Sequence, residues 1–463
     1  MTKAFFNHSY LAALLRGSLS RHAPASGRMS FLDTDSYNGK LGIIETMKDM
    51  LGRENVVDAE TALGLLIGNL STDRLVEVRI KIEEALGRIS ALDIISAEDL
   101  PSFARSTVDG YAVRAGDTFG ATETMPVYLN LFHEILMSQK ADFRLPDYKA
   151  SKIPTGGMLP EGADAVVMFE HVQIIDKQMI EVLRSVAPGE NVIQVGEDVK
   201  RGDVVIRKGQ RMRPQDIGAC AGIGVTEIAV CKRPFVSIIS TGDEIVAANV
   251  SPETGKVRDI NSYVIAGMVM EAGGVPIKKG IFRDDYKNLR DAIEAALSDS
   301  EAIVISGGTS VGTKDMVAGI INDIGSPGVL FHGVSLKPGK PMIGGVINNI
   351  PVFGLPGHPA AVSICFELFI RPVLQRLSGL KDRWPQFSNR TVRARITKNI
   401  ASSPGREDHV RVMLEERAGG LWAVPVLGKS GLITTLVRAE GTIVIPLHIS
   451  GIEAGDIVDV RLF

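Results

Sequence analysis

Between Arg233 and Gly379, apolar runs of strand length alternate with longer segments of helical period. This alternation confines that part of the chain to an open α/β sheet. "PFVSIIS", "EAIVIS" and "IPVFGLP" read as buried strands, being short, nearly continuous apolar runs rich in β-branched residues. "NSYVIAGMVMEAGG" reads as a helix that stops on glycines, and "DDYKNLRDAIEAALSD" as one presenting Tyr286, Leu289, Ile293 and Leu297 on a single face. "KDMVAGIINDIG" adds a third helix, and "PAAVSICFELFIRPVLQRLSG" a long closing one. Sheets of this kind bind ligands outside the carboxyl ends of their strands. The loops to read are therefore "TGDE", "GGTSVG" and "PGHPAA", each directly after a strand.

The flanking segments are of other types. Residues 99–187 contain short β-type runs such as "GYAVRA", "MPVYLNL" and "ADAVVMFEHVQII", which predict a small β-rich domain. Residues 57–98 and 188–232 read as two halves of an extended linker domain. In the first half "DAETALGLLIGNL" has helical spacing and "LVEVRIKIEEALGRISALDI" begins as a strand and turns helical; the second half holds the short strands "GDVVIRKGQ" and "TEIAVCKRP". Residues 380–463 alternate apolar and polar positions in "TVRARITKNI", "HVRVMLEE", "LWAVPVLG", "GTIVIPL" and "DIVDVRLF", which suits a small β-barrel or sandwich. The expected fold class is thus α/β plus β, in several domains. Residues 1–56 read as an extension outside the main fold. The stretch before Asp33 has Lys3, Arg16, Arg21 and Arg28, several serines and no acid, a composition shared by targeting leaders and by segments read from a misplaced start codon.

Composition removes several function classes. A formal net charge of −3 over 463 residues gives no polyelectrolyte surface for nucleic acid. No apolar run approaches the 18 or so residues of a membrane span. Cys220, Cys231 and Cys365 have neither zinc-knuckle nor redox CxxC spacing, and a reducing, cytoplasmic setting is the simple expectation.

In Gly307, Gly308, Thr309, Ser310 and Gly312 the glycines let the backbone approach a ligand, while N–H groups and hydroxyls can donate to an anion beside a helix N-terminus. The loop is no Walker motif, because Thr313 stands where lysine is needed, and its spacing is not GxGxxG. A glycine-rich strand-to-helix turn is equally often only a turn. Asp243, Glu244 and Asp315 add three carboxylates beside this anion site, a set suited to Mg²⁺ shared with substrate phosphates or, alternatively, to helix capping. "LKPGKP" fixes Lys337 and Lys340 on a constrained turn. "STVDGYAVR" contributes Asp109, "IPTGGMLPEGADAVV" contributes Thr155, and "VGEDVKRGD" contributes Asp198, each a weak signal alone.

Taken in order, "STVDGYAVR", "PTGGMLPEGADAVV", "GEDV", "STGDE", "DINSY", "GGTSVGTKD", "KPGKP" and "LPGHPAA" resemble the MoeA and gephyrin E-domain family, the molybdopterin molybdotransferases. The resemblance runs from about residue 58 to the end. It implies an elongated protomer with a molybdopterin-binding α/β domain, in a homodimer whose site joins domains of both subunits. The implied reaction transfers molybdenum from molybdate into adenylylated molybdopterin with Mg²⁺, releasing AMP. It further implies catalytic roles for Asp109, Thr155, Asp198, Glu244 and Asp315, and its Mg²⁺ would fall to the carboxylate set already read from the residues, Asp243, Glu244 and Asp315. Substrate binding is implied for Lys337, Lys340, Pro356 and Pro359, and the residues themselves make Ser306, Gly307, Gly308, Thr309, Ser310, Gly312, Gly357 and His358 further substrate-binding candidates. Contact with the molybdopterin adenylyltransferase is a further implied partnership. A chain without a cysteine cluster suits this chemistry if the substrate dithiolene supplies the soft ligands. Two positions depart from the family pattern: Thr107-Val108 replaces the common Ala-Met, and His358 replaces the common bacterial Asn. The competing readings are a molybdopterin adenylyltransferase, whose single α/β domain would not need the flanking motifs, a tungstate-inserting variant, and an interaction scaffold.

Overall fold

The computed structural model describes residues 56–71, 75–307, 311–381 and 391–463, with the backbone alone at 311–314. At its centre is a six-stranded sheet. In chain order its strands are β1 (Phe235–Thr241), β2 (Val275–Phe282), β3 (Ala302–Gly307), β4 (Pro327–His332), β5 (Ile343–Ile347) and β6 (Ile350–Leu355), lying side by side as β2-β1-β3-β6-β5-β4. The first four run parallel, while β5 and β4 are antiparallel to their neighbours. Helices α1 (Asn261–Glu271), α2 (Tyr286–Leu297) and α3 (Val311–Ile324) supply the crossovers.

The strand pleat divides β3 between two cores. Ala302 and Val304 pack with Ile265, Val269 and Phe366 on one face, and Ile303 and Ile305 pack with Leu289, Ile293 and Ile320 on the other. A strand covered on both faces is apolar at nearly every position, which is why "AIVIS" shows no alternation before Ser306. The edge strand β2 is different: "VPIKKGIF" is half exposed, and its lysines and glycine hide it from a search for apolar runs. The β5–β6 hairpin turns on Asn348 and Asn349, both at positive φ (49° and 73°), the conformation that favours asparagine in tight hairpins.

Four local expectations need correction. Tyr286 is not on the buried face of α2; that face is Leu289, Ala292, Ile293 and Ala296, while Tyr286 bonds Asp323 at the surface. The closing helix is three pieces, Pro359–Cys365, a π turn Phe366–Ile370 and Arg371–Leu377, because Pro372 lacks the N–H that would continue the regular ladder. The helical half of "LVEVRIKIEEALGRISALDI" is only the 3₁₀ turn Ile82–Glu84, after which Gly87 takes φ 72° and the chain leaves the helical path. The helix Ala59–Gly68, capped by Asp58, buries Ala62 and Leu66 in the α/β core and so packs there, not with the linker strands.

The linker strands pair in two-stranded steps of distant segments: Glu77–Lys81 with Glu227–Cys231, Ile94–Ile95 with Val204–Ile206, and Arg105–Ser106 with Val192–Ile193. The helix Pro214–Gly222 packs beside them. It escapes the apolar-period reading, but Pro214 in its first turn and Asp216 bonded back to Arg213 mark its start. Between Gly110 and Val182 lies a six-stranded sheet, with Tyr111, Leu129, Ala150, Val167 and Ile180 in its core. At the C-terminus Thr391–Ile396, Glu407–Arg417, Gly420–Pro425, Gly441–Ile445 and Ile457–Leu462 close into a five-stranded barrel, since Glu407–Arg417 pairs with both Gly420–Pro425 and Gly441–Ile445.

Candidate functional site

At the carboxyl end of the parallel strands, backbone crowding dictates the sequence. A Cβ on Gly307, at φ 132°, would lie 1.7 Å from the Thr241 carbonyl oxygen. Only glycine fits where β3 ends against β1. The Thr241 hydroxyl in turn donates to Asp284 (2.8 Å). Asn261, the first residue of α1, donates through Nδ2 to Ser306 Oγ and to the Gly357 carbonyl, each at 2.9 Å, tying the end of β3 to the loop after β6. Asp259 steadies this start from below, accepting from Ser240 Oγ (2.9 Å) and the Ser262 N–H (3.0 Å).

The constrained lysine turn abuts the barrel. Leu336–Lys337 forms a short strand parallel to the start of Glu407–Arg417, so that Lys337 Nζ lies 3.1 Å from the buried Asp408, whose other oxygen is 3.1 Å from Arg406 Nε. Gly339 makes this turn possible, since a Cβ there would meet Leu336 at 2.4 Å and the buried Cys365 sulfur at 2.8 Å. Burial pushes the Cys365 thiol up to about 12, so it acts as packing and not as a nucleophile. The Lys340 carbonyl accepts from Val334, which holds the other end of the turn.

The "PGHP" loop carries Pro356, Gly357, His358 and Pro359. His358 Nδ1 is 2.9 Å from Ser430 Oγ, and Ala360 donates to the Ser430 carbonyl, so this loop also meets the barrel. Arg411 is buried beside the same turn, with Nη2 3.4 Å from the Gly428 carbonyl and Nε without a partner. A buried guanidinium with an unused N–H can attract an oxyanion. Close by, His409 lies 2.7 Å from Glu407, out of line for a good hydrogen bond. It still holds the Glu407 carboxyl below its ordinary value, against the opposing effect of burial. A depressed carboxyl contributes stability above the ordinary glutamate range and loses it as pH falls through the lower folded value. Glu407→Gln is therefore expected to flatten the acid limb of urea stability below about pH 4.5 while changing the neutral-pH value by only about 1 kcal/mol; an unchanged acid limb contradicts this.

Asp243 and Asp315 are exposed and Glu244 is partly buried. The Asp243 carbonyl accepts from Lys256 (2.5 Å), and Glu244 folds back over Gly242, where its Oε2 is 2.8 Å from the position of a Cβ. Asp315 sits one turn into α3 and Gly312 at its start, whereas Gly308, Thr309 and Ser310 lie outside the described residues. Among the described residues no three His, Cys, Asp or Glu side chains gather as a metal cage, so Asp243, Glu244 and Asp315 do not form one by themselves.

Asp109 and Thr155 are joined away from the α/β loops, in the β-rich domain. The Thr155 N–H (2.7 Å) and hydroxyl (3.0 Å) both donate to Asp109 Oδ1 and hold that exposed carboxyl below its ordinary value. Asp198 is exposed in the linker, its N–H donating to Leu100. None of the hydrogen bonds of Asp109, Thr155 or Asp198 reaches the α/β loops. The sequence reading missed Asn261, Asp284, Arg406, Asp408, Arg411 and Ser430. "DINSY" signalled the first, and Asp408, His409 and Arg411, polar residues at buried strand positions, signalled the barrel wall.

Comparison with known proteins agrees with this architecture. Residues 56–224 match the MoeA N-terminal region (domain I and II), 237–376 a probable molybdopterin binding domain, and 393–463 the MoeA C-terminal region (domain IV). A molybdopterin biosynthesis protein of Methanocaldococcus jannaschii is 40% identical over 392 residues, 83% of this chain and 91% of that protein. The molybdopterin molybdenumtransferase of Bacillus subtilis is 33% identical over 387 residues, 83% of this chain and 89% of its own. Among solved structures, a molybdopterin biosynthesis MoeA protein from Pyrococcus horikoshii superposes with a TM-score of 0.75 at 32% identity, covering 88% of this chain and 100% of that one. With a 40% identical relative spanning most of both chains, and matching N-terminal, molybdopterin-binding and C-terminal regions in order, the chain belongs to the MoeA family of molybdopterin biosynthesis proteins.

Proposed function

We propose that this protein transfers molybdenum from molybdate into adenylylated molybdopterin, releasing AMP and yielding molybdenum cofactor. The observation that carries the reading is the meeting of anion-directed groups where the α/β strand ends touch the barrel: Lys337 with Asp408 and Arg406, and His358 with Ser430. An enzyme that joins two anions needs fixed cations and N–H donors more than it needs soft ligands, which the substrate brings. Lys337, Lys340 and Arg411 attract the oxyanion, while the loop from Gly307 to Gly312 cradles the pterin phosphate or the pterin edge. The names of the B. subtilis relative and its kin support the same reaction. Tungstate, of like charge and shape, remains the alternative cargo. The adenylyltransferase reading loses support because the chain carries the N-terminal and C-terminal MoeA regions in addition to the pterin-binding one.

Mg²⁺ belongs to this proposal. The hard oxygen donors of Asp243, Glu244 and Asp315 fit a cation held by one or two carboxylates with substrate phosphates completing its shell. When bound there, it neutralises phosphate charge during anhydride cleavage. The working form is a homodimer in which Asp109, Thr155 and Asp198 of one subunit face the α/β loops of the other, since their own bonds do not lead there. The compartment is the cytoplasm, where the adenylyltransferase hands over its product. No helix among the described residues is long and apolar enough to cross a membrane.

The test is to incubate purified protein with adenylylated molybdopterin, Mg²⁺ and either molybdate or tungstate, then measure AMP and pterin-bound metal. Release with molybdate, abolished by chelation, is expected. No release with either oxyanion refutes the reading.

A further inference from the structure

Asn261 is nine-tenths buried, yet half of its hydrogen-bonding capacity is unused. Its orientation is not ambiguous. A carbonyl oxygen only accepts, so the amide nitrogen must be the atom facing Gly357, and its second hydrogen goes to Ser306 Oγ. Oδ1 is left buried without a donor. Native structures rarely keep such an acceptor unless a ligand or water supplies the missing hydrogen. Ser306 is complementary to it. That hydroxyl is itself buried and already accepts from Asn261, which leaves its own hydrogen to be given away. One acceptor and one donor therefore stand together at the carboxyl ends of β3 and β6, where an open α/β sheet receives its ligand.

We infer that Asn261 and Ser306 together read the lactam edge of the pterin, Asn261 Oδ1 accepting from the ring N–H and Ser306 Oγ donating to the adjacent carbonyl. This rests on the part of the proposed function that makes a molybdopterin the ligand. The 6-amino edge of adenine also offers a donor beside an acceptor, but the match of residues 237–376 to a molybdopterin-binding region favours the pterin. Asn261 thus has two duties. It fixes the loop after β6 through Nδ2, and it selects a heterocycle through Oδ1.

The experiment is equilibrium dialysis of the full-length protein, its Asn261→Ala variant and its Ser306→Ala variant against molybdopterin, quantified as its fluorescent oxidised derivative, and separately against AMP. Asn261→Ala is expected to weaken molybdopterin binding about tenfold or more and Ser306→Ala about fivefold, with AMP affinity unchanged within about twofold. A purely structural role would weaken both ligands alike and lower the melting midpoint in step. Wild-type molybdopterin affinity in folded Asn261→Ala overturns the inference, as do a loss confined to AMP and a wild type that binds no molybdopterin. Should Asn261→Ala fail to fold, Ser306→Ala decides alone. A wild type that binds molybdopterin but releases no AMP would refute the transferase reading and leave the inference about pterin recognition standing.

Discussion

Replacing Gly307 by alanine is expected to remove about 4 kcal/mol or more of stability and to cut any AMP release by about 100-fold. The added carbon would sit 1.7 Å from the Thr241 carbonyl oxygen and 2.8 Å from its carbon, with φ at 132°. Neither atom can yield, because both belong to backbone in the parallel β1–β3 pairing, where Thr241 is opposite Gly307. Any shift also moves Ser306, and with it the bond that Asn261 makes across to Gly357. Gly319 is the control. It lies in α3, which begins four residues past Gly307, and a Cβ there meets nothing within 4 Å. Gly319→Ala should therefore stabilise by about 0.5–1 kcal/mol through lowered unfolded-state entropy. Urea midpoints of the two variants check the pair; equal destabilisation, or a Gly307→Ala protein as stable as wild type, would show that the crossing of strand ends is not the constraint.

The second large effect tests the proposed division of the site between two subunits. Asp109→Asn alone and Asp315→Asn alone should each reduce turnover to near background. Unfolding and refolding an equimolar mixture should then restore about a quarter of wild-type activity. Half of the random dimers are mixed. Each mixed dimer concentrates both lesions in one site and leaves the other intact. If Asp109 and Asp315 serve the same site from the same chain, every site in the mixture keeps one lesion and the activity stays at background. Asp109 offers a second readout. The Thr155 N–H and then its hydroxyl keep the carboxyl ionised to lower pH than usual, so Thr155→Val, which removes the hydroxyl alone, should move an acid limb of activity part of the way toward the ordinary aspartate range.

How far the sequence speaks depends on how a residue is buried. "AIVIS" and "PVFGL" were legible as strands because two-sided burial leaves them apolar up to the strand end, where Ser306 is the one polar residue. "VPIKKGIF" was not, because an edge strand shows lysines to solvent, and "GGVI" was not, because two glycines weaken its apolar run. Gly345 is buried against the Gly328 carbonyl and the Ile321 side chain, a tertiary reason that no local pattern contains. The candidate loops after β1, β3 and β6 could be listed from strand position alone, since topology decides where ligands approach. Their partners could not. That Lys337 pairs with Asp408, 71 residues away, or that His358 meets Ser430, 72 residues away, depends on how the barrel seats against the α/β domain. Asn261 was visible only as part of "DINSY", because a helix-starting asparagine normally looks like a cap and its unused acceptor appears only in three dimensions.

The most direct test of the proposed activity is a single time course following AMP and pterin-bound molybdenum together, with wild-type protein, adenylylated molybdopterin, Mg²⁺ and molybdate. The proposed reaction requires the two products to appear at the same rate, in about a one-to-one ratio, and AMP to stay at background when molybdate is omitted. AMP released equally fast without the oxyanion, or molybdenum failing to join the pterin while AMP accumulates, would contradict it.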